Sequence, residues 1–426
     1  MIYNFTRGAG GYEPSGSFAI DSSGNLFGTT ALGGPHNAGT TFKLTSSAGY
    51  AISVLHNFSA GPDGASPHGG LIFDSAGDLY GTTVGGGTHS VGTAFELTPN
   101  SNGSWTEHQL FAFSGNDGEY PYGGLASDSA GNLYGTTQFG GVSGYGCPPS
   151  CGTVFELTPT PGGGWTESVL HAFTAQGDGG DPMGGLIVDA AGNLYGTTTY
   201  DGNVFELTPS SGGWSLAVLA SDNETGYQGG LLFDTAGNLY GIGSGGSLSH
   251  GVVFELTPNS NGAWTQTSLY TFTGGSDGGE PTGSLILDTA GNLYGTTVQG
   301  GAYGHGTVFE LTRGSSDWTE NVLYSFTGGS DGSEPLGGVA MDGAGKLYGT
   351  TSIGGSTGCY AGEGCGVVFK LSQTKTGWKE GVLFTFRAGS GGGVPQSPLI
   401  LDSLGNLYGS AGFGSFNEGV VFEVTP

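Results

Sequence analysis

The sequence predicts an all-β protein, an eight-bladed β-propeller built of four-stranded antiparallel blades. Three observations predict it. The phrase Asp-x-x-Gly-Asn-Leu-Tyr-Gly-Thr-Thr recurs in eight copies, with its aspartate at 21, 74, 128, 189, 234, 288, 342 and 402. A second phrase, Gly-Thr-Val-Phe-Glu-Leu-Thr-Pro or a close variant, follows each copy, centred on Phe42, Phe95, Phe155, Phe205, Phe254, Phe309, Phe369 and Phe422. No segment keeps an apolar period of 3.6 residues, so no helix is expected.

Each repeat supplies four strands in order. Strand A is Gly-Gly-Leu-Ile-x-Asp, as in 69–74, and strand B is Leu-Tyr-Gly-Thr-Thr, as in 79–83. The Ser-Ala-Gly-Asp between them offers positive-φ residues for a tight hairpin. Strand C is the Val-Phe-Glu-Leu-Thr phrase. Strand D runs from an aromatic residue to a Phe, as in Trp318-Thr-Glu-Asn-Val-Leu-Tyr-Ser-Phe326. All are short, carry Val, Thr, Tyr and Phe, and end at Gly, Asn, Asp or Pro. Four-stranded units repeated at about 40–50 residues mark a propeller. A β-solenoid is the rival, with shorter rungs and capped ends.

The chain ends favour the propeller. The eighth copy stops after strand C, and Ile2-Tyr-Asn-Phe5 matches the end of a D strand, Leu323-Tyr-Ser-Phe326. Residues 1–5 therefore complete blade eight with 397–426, giving one domain over 1–426. Such closure removes the exposed sheet edges of an open array.

Composition narrows the function. Of 426 residues, 92 are Gly, and the formal net charge is −27 with only 8 Lys and Arg. A nucleic-acid partner needs a basic footprint, which is missing. No run of about 18 apolar residues exists, so no membrane span is expected. Met1-Ile2-Tyr3-Asn4-Phe5 lacks the charged and apolar regions of a signal peptide. The two recurring phrases, each in eight copies across essentially the whole chain, resemble the bacterial tandem-repeat family called GloVer. The turn phrase is also similar, more loosely, to that of NHL-type propellers. The GloVer resemblance implies a secreted, surface-associated protein with varying C-terminal anchors, and it supplies no catalytic residue.

Cys147 and Cys151 lie in the B–C loop of blade three, Cys359 and Cys365 in that of blade seven. A shared Cys₄ zinc site is set aside because these blades oppose each other in an eightfold ring. Each close pair is expected to form a disulfide stapling its own loop, which points to an oxidising, extracellular or cell-surface setting.

In a propeller the D–A and B–C loops share one face. The D–A loops are acidic, and Asp277, Glu280, Asp331 and Glu334 are candidate ligands for Ca²⁺. Ordinary turn chemistry is the competing account, and it also makes the eight recurring aspartates hairpin caps. His36, His68, His89, His250 and His305 are expected in solvated loops without a fixed offset. The six tryptophans, each opening a D strand, are expected to pack at the outer edge rather than to stack on sugar.

Blade four is shortened, so a groove between blades four and five, lined by Tyr200, Asp201, Asp222, Glu224, Tyr227 and Gln228, is the candidate ligand site. No catalytic constellation is legible. The leading expectation is a non-catalytic extracellular binding protein, with polysaccharide as the partner. Assembly with other copies of itself into a surface layer or filament is the second. A propeller-scaffold lyase or hydrolase is the third.

Overall fold

A computed structural model gives the fold, describing residues 1–426 other than 7, 143–146, 148, 222–226, 244–249, 261, 315–316, 357, 360–361, 388–391 and 413–417. The chain is an eight-bladed β-propeller, and each blade is a four-stranded antiparallel sheet in the order A-B-C-D. Blade six has its four strands at full length, with A at Gly279–Leu287, B at Leu293–Gln299, C at Thr307–Arg313 and D at Trp318–Ser325. Among the described residues there is no α-helix. One short 3₁₀ turn, Ser46–Ala48, sits between strands C and D of blade one.

Two compact units emerge from the contacts. Phe5–Asn223 carries blades one to four, and Met1–Asn4 with Glu224–Pro426 carries blades five to eight. Within the latter, the N-terminal strand completes the last blade as expected. Tyr3 pairs with Val421 and Asn4 with Val420, beside strands Leu407–Ala411 and Ile400–Leu401.

Strand A is shorter than the sequence suggests in most blades, covering only Ile72–Phe73 in blade two and Ala126–Ser127 in blade three. Its Gly-Gly start explains this. A Cβ on Gly123 would meet the backbone oxygen of Gly184 at 2.8 Å, and one on Gly69 would meet that of Gly123 at 2.9 Å. Neighbouring A strands thus approach too closely for any side chain, and glycine is the residue that fits.

The core is a ladder of rings. The Phe ending each D strand packs edge-on against the strand C Phe of the next blade. The pairs are Phe58–Phe95, Phe113–Phe155, Phe173–Phe205, Phe272–Phe309, Phe326–Phe369 and Phe386–Phe422, with centroids 5.0–5.3 Å apart. Phe5 takes that role for Phe42 at 5.3 Å. Rings at this separation prefer edge contact because each face is negative and each edge positive. In the fourth repeat the corresponding position is Asp222, outside the described residues. The tryptophans pack as expected. Trp105 meets Phe27, Trp165 meets Tyr80, Trp214 meets Tyr134 and Trp318 meets Tyr240, each on strand B of the preceding blade.

Candidate functional site

Most polar groups of the repeat are committed to holding the blades. Asp288 shows how. Its Oδ1 accepts from the backbone N–H of Ala290 and Asn292 at 2.8 and 2.9 Å, and its Oδ2 accepts from the Asn292 amide at 2.9 Å. The Tyr294 hydroxyl lies within reach of both Asp288 (3.2 Å) and Glu310 (2.7 Å), tying turn to strand C. The same arrangement recurs at Asp128–Tyr134–Glu156, Asp189–Tyr195–Glu206, Asp234–Tyr240–Glu255 and Asp402–Tyr408–Glu423. The recurring aspartates are hairpin caps. In blade one both partners change together. Phe27 cannot donate, and Lys43 replaces the glutamate with its ammonium 5.1 Å over the ring.

The D–A loops are held by their own aspartates. Asp277 accepts from the Thr273 backbone N–H and hydroxyl and from the Tyr270 hydroxyl. Asp331 is held likewise by Thr327 and Tyr324. Burial alone raises both carboxyls, but these donors outweigh it and hold them below the ordinary carboxylate range. Of the Ca²⁺ candidates, then, Asp277 and Asp331 spend their oxygens inside the turn. Among the described residues no three His, Cys, Asp or Glu side chains gather as a metal-holding group.

Glu280 and Glu334 behave differently. Each precedes a proline and stands in the left-handed region, at φ 54° and 55°. Ser66, Tyr120, Asp181 and Val394 do the same before Pro67, Pro121, Pro182 and Pro395. The loop accepts this strain because each proline packs flat on the preceding blade. A Cβ on Gly306 would lie 2.8 Å from Cδ of Pro335. The twist leaves Glu334 at the wall of a cleft.

That cleft, about 950 Å³, opens on the D–A and B–C loop face at blades six and seven. Its polar wall is Gln299, His305, Ser333, Glu334 and Glu363, and its floor is mostly glycine. Gln299 donates to Glu280 at 3.0 Å. The His305 Nδ1 lies 3.1 Å from the Ser333 hydroxyl. Ser333 in turn bridges to Ile353, joining the D–A loop to the end of strand B. A smaller hollow of about 290 Å³ continues past Glu334, Ile353 and Glu363 to Val394 and Gln396. Tyr303, between the lining residues Ala302 and Gly304, is 62% exposed. Of the exposed large hydrophobic side chains among the described residues, this ring is the one set between residues that line the cleft.

The expected groove at blades four and five fares differently. Asp222 and Glu224 lie outside the described residues. Tyr200 is partly exposed and bridged to Gly180, and Asp201 has φ 60°. Tyr227 and Gln228 pair with Gly243 and Ile242 on strand B. The expectation about histidines needs correction. His250 and His305 share an offset, each just before the glycine that opens strand C. Each ring covers a loop glycine, Gly274 or Gly328, where a Cβ would come within 2.6 or 2.5 Å of it.

The cysteines form Cys147–Cys151 and Cys359–Cys365 disulfides, as expected, and among the described residues none is free. The second closes the loop carrying Glu363, whose carbonyl accepts from Gly354 N–H at 2.8 Å. No helix among the described residues is long and apolar enough to cross a membrane.

In sequence, the family model described as the Gloeobacter/Verrucomicrobia repeat matches residues 1–203, 141–288 and 244–426. No curated protein matches the chain. Among solved structures it is similar to a Lactobacillus plantarum protein at 13% identity, covering 84% of this chain and 94% of that one with a TM-score of 0.49. It is also similar to virginiamycin B lyase from Staphylococcus aureus (13% identity, 79% and 91% covered, TM-score 0.44). A gluconolactonase from Xanthomonas campestris is a third (16%, 67% and 83%, TM-score 0.37).

Proposed function

The chain belongs to the Gloeobacter/Verrucomicrobia repeat family, and on that premise we propose that it is an extracellular or cell-surface, non-catalytic binding protein taking polysaccharide in the cleft beside Tyr303. The observation that carries this reading is the exposed Tyr303 ring, set in the chain between Ala302 and Gly304, which line a roughly 950 Å³ cleft walled by amide, imidazole and carboxylate groups. A sugar ring has an apolar C–H face for an aromatic platform and hydroxyls for side-chain acceptors. Tyr303 supplies the first; Gln299, Glu334 and Glu363 supply the second. The shallow hollow toward Gln396 lengthens the site, as an extended polymer requires. Two disulfides suit an oxidising compartment.

The hydrolase reading would rest on the Ser333–His305 pair, since a nucleophile needs a base within hydrogen-bond reach. Ser333 is only 3% exposed, however, so its hydroxyl serves better to orient the imidazole than to attack a substrate. The test is a polysaccharide array probed with wild type and Tyr303→Ala, with and without Ca²⁺, followed by analysis for released product. Binding that disappears in the variant, without product, supports the reading. Released product overturns it in favour of an enzyme. A blank array, with a mass far above 42.7 kDa on adding Ca²⁺ or acid, overturns it in favour of self-assembly.

A further inference from the structure

Four glutamates occupy one register of the D strand, two residues after its tryptophan: Glu107, Glu167, Glu320 and Glu380. Each has Oε1 fully buried without a hydrogen-bond partner. On strand C of the same blade each stands opposite a leucine, Leu97, Leu157, Leu311 or Leu371. A carboxylate oxygen in such a place, shut from water and without a donor, is costly to keep charged.

The groups around them add no compensating charge. The acid that acts on each is the D–A loop aspartate of the preceding blade: Asp63 on Glu107, Asp117 on Glu167, Asp277 on Glu320 and Asp331 on Glu380. Those aspartates are themselves supplied with donors. Asp63 has Ser59 and His56, and Asp117 has Ser114. Asp277 and Asp331 have the Thr and Tyr donors given above. The preceding D strand contributes His56 or Tyr270 and Tyr324, which turn to these aspartates, and Glu107 and Glu320, members of the set itself. Charged residues of strand C, namely Glu96, Glu156, Glu310 and Lys370, pair with the alternate positions His108, Ser168, Asn321 and Gly381, and so face the other way. Lys379 pairs with Ser372 on that same opposite face. Arg313 lies over Trp318 and 3.9 Å from Glu255.

We propose that the four carboxyl pairs Asp63–Glu107, Asp117–Glu167, Asp277–Glu320 and Asp331–Glu380 are proton-binding joints between neighbouring blades, each holding one proton on its glutamate and loosening when that proton leaves. Two carboxyls in one site divide their roles when the environment favours one of them as the anion. Here the aspartates have the donors, and at Asp277 and Asp331 those donors hold the carboxyl low. Burial first, and the neighbouring aspartate second, push all four glutamates up to about 7. The repeat also contains uncharged versions of the position, Leu216 in blade four and Gln266 in blade five. A neutral side chain is therefore what this register accepts.

The direction of the pH effect follows from linkage. A folded-state pKa above the unfolded one means the native state binds more protons, so the contribution is full below the ordinary Glu value and is lost as pH rises through about 7. The test compares wild type with Glu107→Gln/Glu167→Gln/Glu320→Gln/Glu380→Gln by thermal unfolding from about pH 5 to about pH 9. The wild-type midpoint should fall across about pH 6 to 8 and the variant should stay level there, ending above wild type. The single variants Glu107→Gln and Glu320→Gln, each flattening the fall by a part, keep the proposal testable should the quadruple variant not fold. Infrared difference spectra should show protonated carboxyl at pH 6 that is missing from the variants. A level wild-type curve, or an undiminished fall in every variant, overturns the proposal. So does Ca²⁺ restoring the wild-type midpoint at high pH but not the variant's, which would make the pairs cation sites.

Discussion

Replacing Phe309 with Ala removes the ring at the seam of blades five and six. The side chain is fully buried, meets Phe272 edge-on at 5.1 Å and 63°, and lies over Gly295, where a Cβ would come within 2.6 Å of its Cζ. Truncating a fully buried phenylalanine costs about 3–5 kcal/mol, from lost transfer energy and the cavity left. The edge-to-face share of that is about 0.5–1.5 kcal/mol. A double-mutant cycle with Phe272→Ala isolates it, because each single change removes the ring contact without adding a new one. The assay is urea unfolding followed by the fluorescence of the six tryptophans, of which Trp264 and Trp318 stand on the two blades concerned. Phe309→Ala should lower the midpoint strongly, and the double variant should lose less than the two singles together by the coupling energy. A coupling within about 0.3 kcal/mol of zero would mean that the rings are merely neighbours and that the ladder is not what joins the blades.

Three other outcomes are expected. Glu334→Gly should relieve left-handed backbone strain and stabilise the fold by about 1 kcal/mol while weakening polysaccharide binding, read by calorimetry and by the array. Burial raises the carboxyls of Asp128, Asp234, Asp288, Asp342 and Asp402, but the turn's hydrogen bonds outweigh it and hold them low. Their contribution is present above the unfolded value of about 3.9 and lost as pH falls through the lowered one, so an acid limb should appear that Asp288→Asn partly flattens. Tyr240→Phe should cost about 1–3 kcal/mol in denaturant unfolding, since it strips the donor from the buried Glu255.

What was legible in the sequence was local or strictly periodic. The Asp-x-x-Gly-Asn turn is fixed within five residues by its own hydrogen bonds, and the tryptophan register is set by repetition. The N-terminal strand was found because it matches a D strand by itself. The left-handed residue before each proline was not legible, since proline ordinarily pushes its predecessor toward extended backbone; packing on the previous blade overrides that preference. The acid pairs were hidden for a different reason. Trp-Thr-Glu alternates like any half-exposed strand, and the aspartate facing each glutamate is more than forty residues earlier. The cleft was not legible because its wall joins blade six to the cysteine-closed B–C loop of blade seven, residues that only the fold brings together. One signal could have found it: Tyr303, a large aromatic in a loop otherwise of Gly, Ala and His.

Function and staple meet in one loop of blade seven. Cys359–Cys365 encloses Glu363, and the loop is pinned back by Gly354 N–H donating to Glu363 O and by the bridge of Gly354 to Gly364. Closing so short a loop constrains the unfolded chain by about 2 kcal/mol on the chain-entropy account, a modest share of a domain's stability. Its larger consequence is for the cleft, because Glu363 is exposed and lines both the main cavity and its extension. Reduction, or Cys359→Ser/Cys365→Ser, should therefore weaken polysaccharide binding about tenfold while the fold persists, since a freed loop must be ordered again at each binding event. Cys147–Cys151 provides the control. It staples the B–C loop of blade three, no residue of which lines the cleft, so Cys147→Ser/Cys151→Ser should shift the unfolding midpoint but leave affinity unchanged. Equal loss of binding in both variants would show that the disulfides act through global stability and that Glu363 has no special part in the site.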